Sequence, residues 1–569
     1  MIQTKFITSM KKSLFLLSLA AVVLMTSCSK IVEKPQEIKV NPDPLTFVGG
    51  VMNADITGTF PPKKFARKGE LEITPVLKYG DKEIVGEPEM YVGEKAKVNG
   101  IPVSYKKGGK YTQKCAFRYT PDMEGKELKL YLRCNAKCGK KVYDIPDVLV
   151  ADGINTTALL ADAEDVPVLT PSAYQTVTTE LSEADIHFIV AQANLRDSEL
   201  KNESMTALQN TIKEANKDSK KSISRVEISG YASPEGGQDI NERLAVNRQA
   251  NTEKFIKGKV SGNQTKYISA TTAEDWEGFQ AAVQNSDIQD KELVLRVLEM
   301  YQDPEERETQ IRNLSQVYSD LARDILPQLR RSRILVTTSV VGMSDEEILK
   351  VAREDATQLD VEQLLYAASV APTKEEQVAL YKKVAERFND YRAYNNLGKL
   401  AYESNDIDAA EKYYAKALAL APNNADVNFN AGLVDLANGD VQNAEKHLGK
   451  AAGTKGDLDG ALGTLYTMKG DYNKAKTAYG TAHSNNAALQ QIINQDYAAA
   501  RQTLAAIEEP NAKTDYLKAV LAARTNDRES VYSNLQSAVA KDKEYKTRAA
   551  VDVEFAKYKE DTKFQAIVK

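Results

Sequence analysis

YRAYNNLGKLAYESNDIDAAEKYYAKALALAPNN, residues 391–424, carries the pattern that decides the fold. Apolar and small residues recur at helical spacing on both sides of one short polar break, Asn405-Asp406, so the stretch reads as two helices joined by a turn. The same arrangement returns downstream. Gly398, Gly432 and Gly463 stand 34 and 31 residues apart. The turns Asn405-Asp406, Gly439-Asp440 and Gly470-Asp471 keep step with them, each followed by an alanine at Ala410, Ala444 and Ala475. A period near 34 built from two helices and two turns predicts a helical solenoid over 345–545, with shortened units near 485–510 and 511–544 and a degenerate one at 360–390. The end, 546–569, reads as a polar capping helix.

Upstream the chain changes character. Asp185–Val190 and Ser224–Gly230 read as strands and Met205–Ala215 and Asp239–Lys257 as helices, so 181–340 is an α/β domain whose sheet closes with Arg331–Thr338. Residues 277–330 are helical in period and form an insertion on that sheet. From 31 to 150, short alternating segments broken by Gly, Pro, Asn and Asp predict an antiparallel β-sandwich. The Thr-rich, weakly patterned stretch 151–180 reads as a connector. The fold class is therefore multi-domain: a β-sandwich, an α/β domain with a helical insertion, and an all-α solenoid.

Composition narrows the chemistry. The 569 residues are 42% hydrophobic and 27% charged, with 80 acidic and 75 basic side chains, 4 Cys, 3 His and 1 Trp. A net charge of -5 gives no general attraction to nucleic acid, and three scattered histidines supply few metal or acid–base sites. No HExxH, Gly-x-Ser-x-Gly or Walker-type loop occurs, so the expectation is a protein that is not an enzyme and takes no cofactor. His187 is a sheet residue and Trp276 a core anchor on this reading. Cys115 and Cys134 fall on segments that read as a hairpin around Pro121–Gly125, which makes them candidates for a disulfide in an oxidising compartment. A site built from three thiolates, with Cys138, is the alternative.

The N-terminus places Lys5, Lys11 and Lys12 before an apolar run, Leu14–Met25, too short to span a bilayer. Residues 1–27 therefore read as an export signal. Met25-Thr26-Ser27-Cys28 resembles the lipobox of bacterial lipoproteins, which implies lipidation of Cys28; an ordinary secretory signal is the alternative. Its removal takes three lysines and no acid and moves the net charge from -5 to -8, so the acyl chain and not electrostatic attraction would hold the protein at the membrane. The lack of an acidic run after Cys28, such as resembles a surface-export signal in Bacteroidetes-type lipoproteins, favours the periplasmic face of the outer membrane.

Two further resemblances follow from motifs. Tyr394, Leu397, Gly398, Tyr402, Ala410, Tyr414, Ala417 and Pro422 fall on or next to the consensus positions of the tetratricopeptide repeat, which implies a protein-docking scaffold. Its groove positions correspond to Arg392, Asn395, Lys399, Tyr402 and Phe429, together with Asp426 and Leu433. The segment Val226–Ala250 resembles the loop and helix of OmpA-like peptidoglycan-binding domains. That resemblance implies that Arg248, with Asn241, Ser233, Tyr231 and Glu235 around it, faces a stem peptide, the arginine gripping its carboxylate. Ser233 and Tyr231 depart from the aspartate and histidine of that family, and Ser233 cannot pair with the amine of diaminopimelate. Arg248 as a structural ion-pair partner, for instance of Glu242, is the alternative.

Two functions stay open at this point. One is an outer-membrane lipoprotein tethered to peptidoglycan through the α/β domain and docking a protein through the repeats. The other is an assembly subunit of an envelope complex (secretion, fimbrial or outer-membrane assembly) whose α/β domain has lost wall binding.

Overall fold

The computed structural model describes residues 32–261 and 264–569. Cys28 and the export signal lie outside the described residues. Two compact units form: one joins the chain up to Thr170 with Asp390–Lys569, and the other is Pro171–Asn389.

The first unit starts with two sheets. β1 (Gln36–Asn41), β2 (Phe47–Val48), β3 (Val51–Phe60) and β8 (Gly109–Arg118) make one. β4 (Gly69–Tyr79), β5 (Lys82–Val85), β6 (Glu89–Gly93), β7 (Ile101–Val103), β9 (Leu128–Cys138) and β10 (Lys141–Asp152) make the other. Alternate residues of β3, β4, β8 and β9 point into one shared core, where Phe60 meets Phe65 and Tyr91 at 5.4 and 5.1 Å between ring centres. All pairings are antiparallel except β6 with β7.

The expected hairpin does not form. Cys115 sits opposite Ala54 on β3, whereas Cys134 sits opposite Ile73 on β4 and Ile145 on β10, so the segment between β8 and β9 crosses from one sheet to the other. Cys115 and Cys134 therefore stand on different sheets and not on neighbouring strands of one hairpin. Cys115, Cys134 and Cys138 are free thiols, and burial pushes Cys115 up to about 12 and Cys134 up to about 11.

The second unit holds a four-stranded sheet in the order β11 (Val177–His187), β14 (Arg331–Val341), β12 (Lys221–Tyr231), β13 (Lys266–Thr272). β11 begins inside the stretch expected to be connector, and β13, parallel to β12, has no counterpart in the sequence reading. After the short α1 (Asp197–Leu200), α2 (Glu203–Lys217) and α3 (Gln238–Lys257) cover one face, burying Met205, Leu208, Ile212 and Ile256 on Ile186, Val226, Ile228, Ile334 and Val336. Helices α4 (Trp276–Gln284), α5 (Lys291–Met300), α6 (Pro304–Asn313), α7 (Ser315–Asp320) and α8 (Leu326–Leu329) form the insertion, with a core of their own around Phe279, Val294 and Leu321. α9 (Asp345–Asp355), α10 (Val361–Val370) and α11 (Lys374–Phe388) end the unit, so the helix pair at 360–390 belongs here.

The first unit resumes with stacked helix pairs: α12 (Tyr391–Glu403) with α13 (Ile407–Leu420), α14 (Ala425–Ala437) with α15 (Val441–Leu448), α16 (Leu458–Lys469) with α17 (Tyr472–Tyr479), α18 (Asn485–Ile493) with α19 (Tyr497–Ala506), and α20 (Ala512–Arg524) with α21 (Arg528–Lys541). The repeated turn has one physical cause. Asn405, Gly439, Gly470, Gln495 and Asn526 all adopt left-handed backbone, and the Asp that follows each caps the next helix by accepting from its first-turn amides. The repeated glycine is a packing requirement: a Cβ at Gly398, Gly432 or Gly463 would come within 2.6 Å of Tyr414, 2.7 Å of Leu448 or 2.5 Å of Tyr479.

The end of the chain is not a polar cap. α22 (Glu544–Val551), a 3-10 turn at Val553–Tyr558 and α23 (Thr562–Val568) bury Phe555 and Phe564 against α20 and α21, and the same region receives the β sheets. Glu554 accepts from Asn155 Nδ2 and Thr157 Oγ1, each at 2.7 Å, and from Arg524 Nη2 at 2.6 Å. Burial acts to raise this carboxyl, yet the Arg524 guanidinium and the two amide and hydroxyl donors hold it below the usual carboxylate range.

Candidate functional site

Two sets of residues were expected to bind ligands, and the fold surrounds both with the protein's own chain. The first lies at the turn between β12 and α3. Arg248 on α3 is 1% exposed. Its Nε donates to the Gln192 carbonyl at 3.1 Å, Nη1 to Tyr231 at 2.8 Å and Nη2 to Ile189 at 3.4 Å, and the guanidinium lies 5.2 Å from the Phe188 ring centre. Burial, and then the nearby Arg330, pull its pKa down to about 10. The fork that was expected to grip a carboxylate, or to pair with Glu242, is spent on three backbone carbonyls, that of Ile189 being shared with the Gln192 amide.

The neighbours are equally committed. Ser233 Oγ donates to Glu235 Oε1 at 2.7 Å, and Glu235 is held by Arg330 through Nε at 2.6 Å and Nη2 at 2.9 Å. Asn241 Nδ2 donates to the Gly236 carbonyl at 2.7 Å, folding the loop onto the start of α3. Tyr231 lies under the Arg331 guanidinium at 4.5 Å, and Arg331 pairs with Asp275 at 3.0 Å. The insertion closes over this loop: Arg312 of α6 donates to the Glu235 carbonyl, and Pro234 packs with Trp276, Phe279 and Ile311 around a cavity of about 10 Å³, roughly one water. Trp276 is half-buried, edge-on to Phe279, with its Nε1 donating to Glu274 at 3.0 Å.

The second set lies on the first helix of each repeat. Along α12, α14, α16, α18 and α20, buried polar side chains face one strip of surface, where apolar ones would be expected. What they meet is the segment Leu160–Thr170, which sequence reasoning left as a connector. It runs antiparallel to the order of the repeats. Leu160 and Ala161 join the core of α18 and α20. Asn486 Nδ2 donates to the Asp162 carbonyl at 2.6 Å, and Lys513 Nζ reaches Asp162, Glu164 at 2.8 Å and Asn486 Oδ1 at 2.7 Å. Lys399 Nζ donates to the Pro167 carbonyl at 2.9 Å.

The clearest grip is at Val168 and Thr170. Asn430 takes both backbone groups of Val168, its Oδ1 accepting from the N–H and its Nδ2 donating to the carbonyl, each at 2.7 Å. Asn396, one repeat earlier, does the same to Thr170 at 2.9 and 3.0 Å. Asn395 donates to the Val168 carbonyl at 3.0 Å and to Thr170 Oγ1 at 2.7 Å. A primary amide presents one donor and one acceptor at the spacing of a peptide's own N–H and C=O, so each Asn acts as a stretch of sheet edge.

Residues 391–424 are a tetratricopeptide repeat. The family model of that repeat matches the α12–α13 pair over this range. Among solved structures, a tetratricopeptide repeat protein from Parabacteroides merdae is similar at 14% identity, over 36% of this chain and 90% of that one, with a TM-score of 0.30. Among curated proteins none matches.

The predicted groove residues of the tetratricopeptide unit are thus filled in cis. Asn395 and Lys399 hold the segment, and Phe429 is fully buried in a cluster that Ala163 and Val168 pack against. Tyr402 is pushed up to about 12 by burial and then by Asp165 and Asp162. Arg392 is turned to Asp390 at 2.8 Å, and Asp426 accepts from Thr454 Oγ1 at 2.8 Å. Asn396, Asn430, Asn486 and Lys513 were not singled out in the sequence. The signal that finds them is polar residues at buried positions, Asn396 and Asn430 being 34 apart. His447 Nδ1 contacts Asp435 at 2.7 Å and ties α15 to α14. Among the described residues no group of three or more His, Cys, Asp or Glu side chains is placed to hold a metal ion, and no helix is long and apolar enough to cross a membrane.

Proposed function

We propose that the chain is a non-enzymatic assembly subunit of the cell envelope: anchored by an acyl chain on Cys28 at the periplasmic face of the outer membrane, docking protein partners through its repeats, and not binding the cell wall through its α/β domain. The observation that carries the choice over a peptidoglycan tether is Arg248. Its guanidinium is 1% exposed and already bonded to three backbone carbonyls, so a stem-peptide carboxylate cannot reach the fork without breaking those bonds. The Arg330–Glu235 pair over Ser233 adds to this, because the one acid in the loop already has its cation.

Co-sedimentation with purified peptidoglycan sacculi tests it. The folded full-length protein is expected to stay in the supernatant; sedimentation that free diaminopimelate competes away overturns the reading and restores the tether. Palmitate labelling that disappears in Cys28→Ala tests the anchor, and resistance to protease on intact cells tests the leaflet.

A further inference from the structure

Resting on the reading of the repeats as a docking module, we propose that residues 161–170 are a displaceable cis occupant of the groove, and that the partner it excludes is an extended acidic peptide whose two acids stand two residues apart, with an apolar stretch after them. Three observations argue this. The groove reads main chain more than side chain: Asn396, Asn430 and Asn486 bond the amide and carbonyl of Thr170, Val168 and Asp162, groups every extended peptide presents. One cation selects side chains, since Lys513, 7% exposed at its side chain, is shared by Asp162 and Glu164. Beyond it Pro167 is buried and Val168 packs on the Phe429 cluster, which sets the apolar half.

A further observation makes the occupant displaceable. Asp165 lies over Gly460, so close that a Cβ there would stand 2.8 Å from its Oδ1, and Asp457 lies against the same glycine. The carboxyl therefore sits at an acidic spot with Glu164 beside it, and among the described residues no cation pairs with it; burial, then Asp457 and Glu164, push it up to about 7. A peptide with acids at the positions of Asp162 and Glu164 and a neutral residue at that of Asp165 fits the same groove without this penalty. Tethering still favours the resident segment, which competes at an effective concentration on the order of 1 mM. Release therefore needs a better-fitting ligand.

The test uses the full-length chain and a fluorescent peptide of residues 158–172. In a chain carrying Asp162→Lys and Glu164→Lys, which weakens the resident segment and leaves the groove intact, the peptide is expected to bind at least tenfold tighter than to wild type. Adding Lys513→Glu is expected to abolish that binding. Equal affinity for wild type and the double variant, or no binding to a double variant with native circular dichroism, overturns the proposal. Should the double variant fail to fold, Asp165→Asn serves: hydrogen exchange at the Val168 and Thr170 amides is expected to slow about tenfold, and unchanged exchange overturns it. Neither outcome bears on sacculus binding, so failure here is distinct from failure of the assembly-subunit reading.

Discussion

The loop before α3 and the strip along the first helices of the repeats both carry residues of a binding type, and in both the protein's own backbone is what they hold. The difference is what encloses them. Arg248 is sealed by elements of its own domain: the end of β12, the turn after β11 and the ring of Phe188. The asparagines of the groove are covered by a single irregular segment between Leu160 and Thr170. A group closed in by packed elements is part of the fold, whereas one closed in by a segment without secondary structure of its own belongs to a local equilibrium that opens well below the global unfolding free energy.

The largest expected effect breaks that comparison at its firm end. Arg248→Ala removes a donor from each of the Gln192, Tyr231 and Ile189 carbonyls and leaves a void beside Phe188, for a loss of about 3–5 kcal/mol. The only tryptophan in the chain is Trp276, in the same unit, so its fluorescence in a urea titration reports this unit and not the repeats. With a slope of about 2–3 kcal/mol/M, the midpoint falls by more than 1 M. Arg248→Lys keeps a charge but cannot fork, and is expected to recover little of the loss. A shift below about 0.3 M would mean that Arg248 is not the keystone of its loop.

Asn430→Ala comes next. It removes both bonds to Val168 and one to Asn395, about 2 kcal/mol in total, and the loss is local. Limited proteolysis is expected to nick 161–170 at least tenfold faster while the tryptophan midpoint stays put. Lys513→Ala ranks third, at about 1 kcal/mol: Asp162 is largely exposed, Glu164 keeps the Asn486 N–H, and Glu164 Oε1 and Asn486 Oδ1 lose the ammonium. Its nicking rate should lie between wild type and Asn430→Ala, and a Lys513→Ala chain nicked faster than Asn430→Ala would place side-chain charge above backbone reading.

The same contrast explains what was legible in the sequence. The repeats declare themselves because close packing demands Gly398 and Ala410 and because each left-handed turn needs its Asp cap, and such demands recur with the structure. The α/β strands β12 and β14 are visible through apolar runs that must be buried. The groove occupant had no such signal: a segment recognised through its main chain needs no particular side-chain period, and 151–180 accordingly looked like a connector. Its receptor was visible only as polarity in the wrong place, at Asn395, Asn396, Asn430 and Asn486, where helix faces should be apolar. The Cys115–Cys134 pairing failed for another reason. Local hairpin logic joined neighbouring strands, but β8 found its partner in β3, some sixty residues back, and tertiary pairing overrode proximity.

The smallest effect sharpens the comparison at its loose end, because it acts on the segment alone. Asp165 faces Glu164 on its own segment, Asp457 at the start of α16 and Tyr402 on α12, and its folded pKa of about 7 lies above the value of 3.8 for a free aspartate. An acid whose pKa rises on folding binds more protons in the bound segment than in the released one. Its contribution is therefore fully present below about 4, and it is lost as pH climbs through about 7. Nicking of 161–170 should accordingly accelerate between pH 5 and pH 8, by a few-fold at constant protease activity, with no matching change in the tryptophan midpoint. Asp165→Asn should flatten the profile at the slow, low-pH rate. A profile that keeps its slope in Asp165→Asn would assign the titration to another group, and one that is flat in wild type would mean that the segment holds its carboxylate charged in the groove.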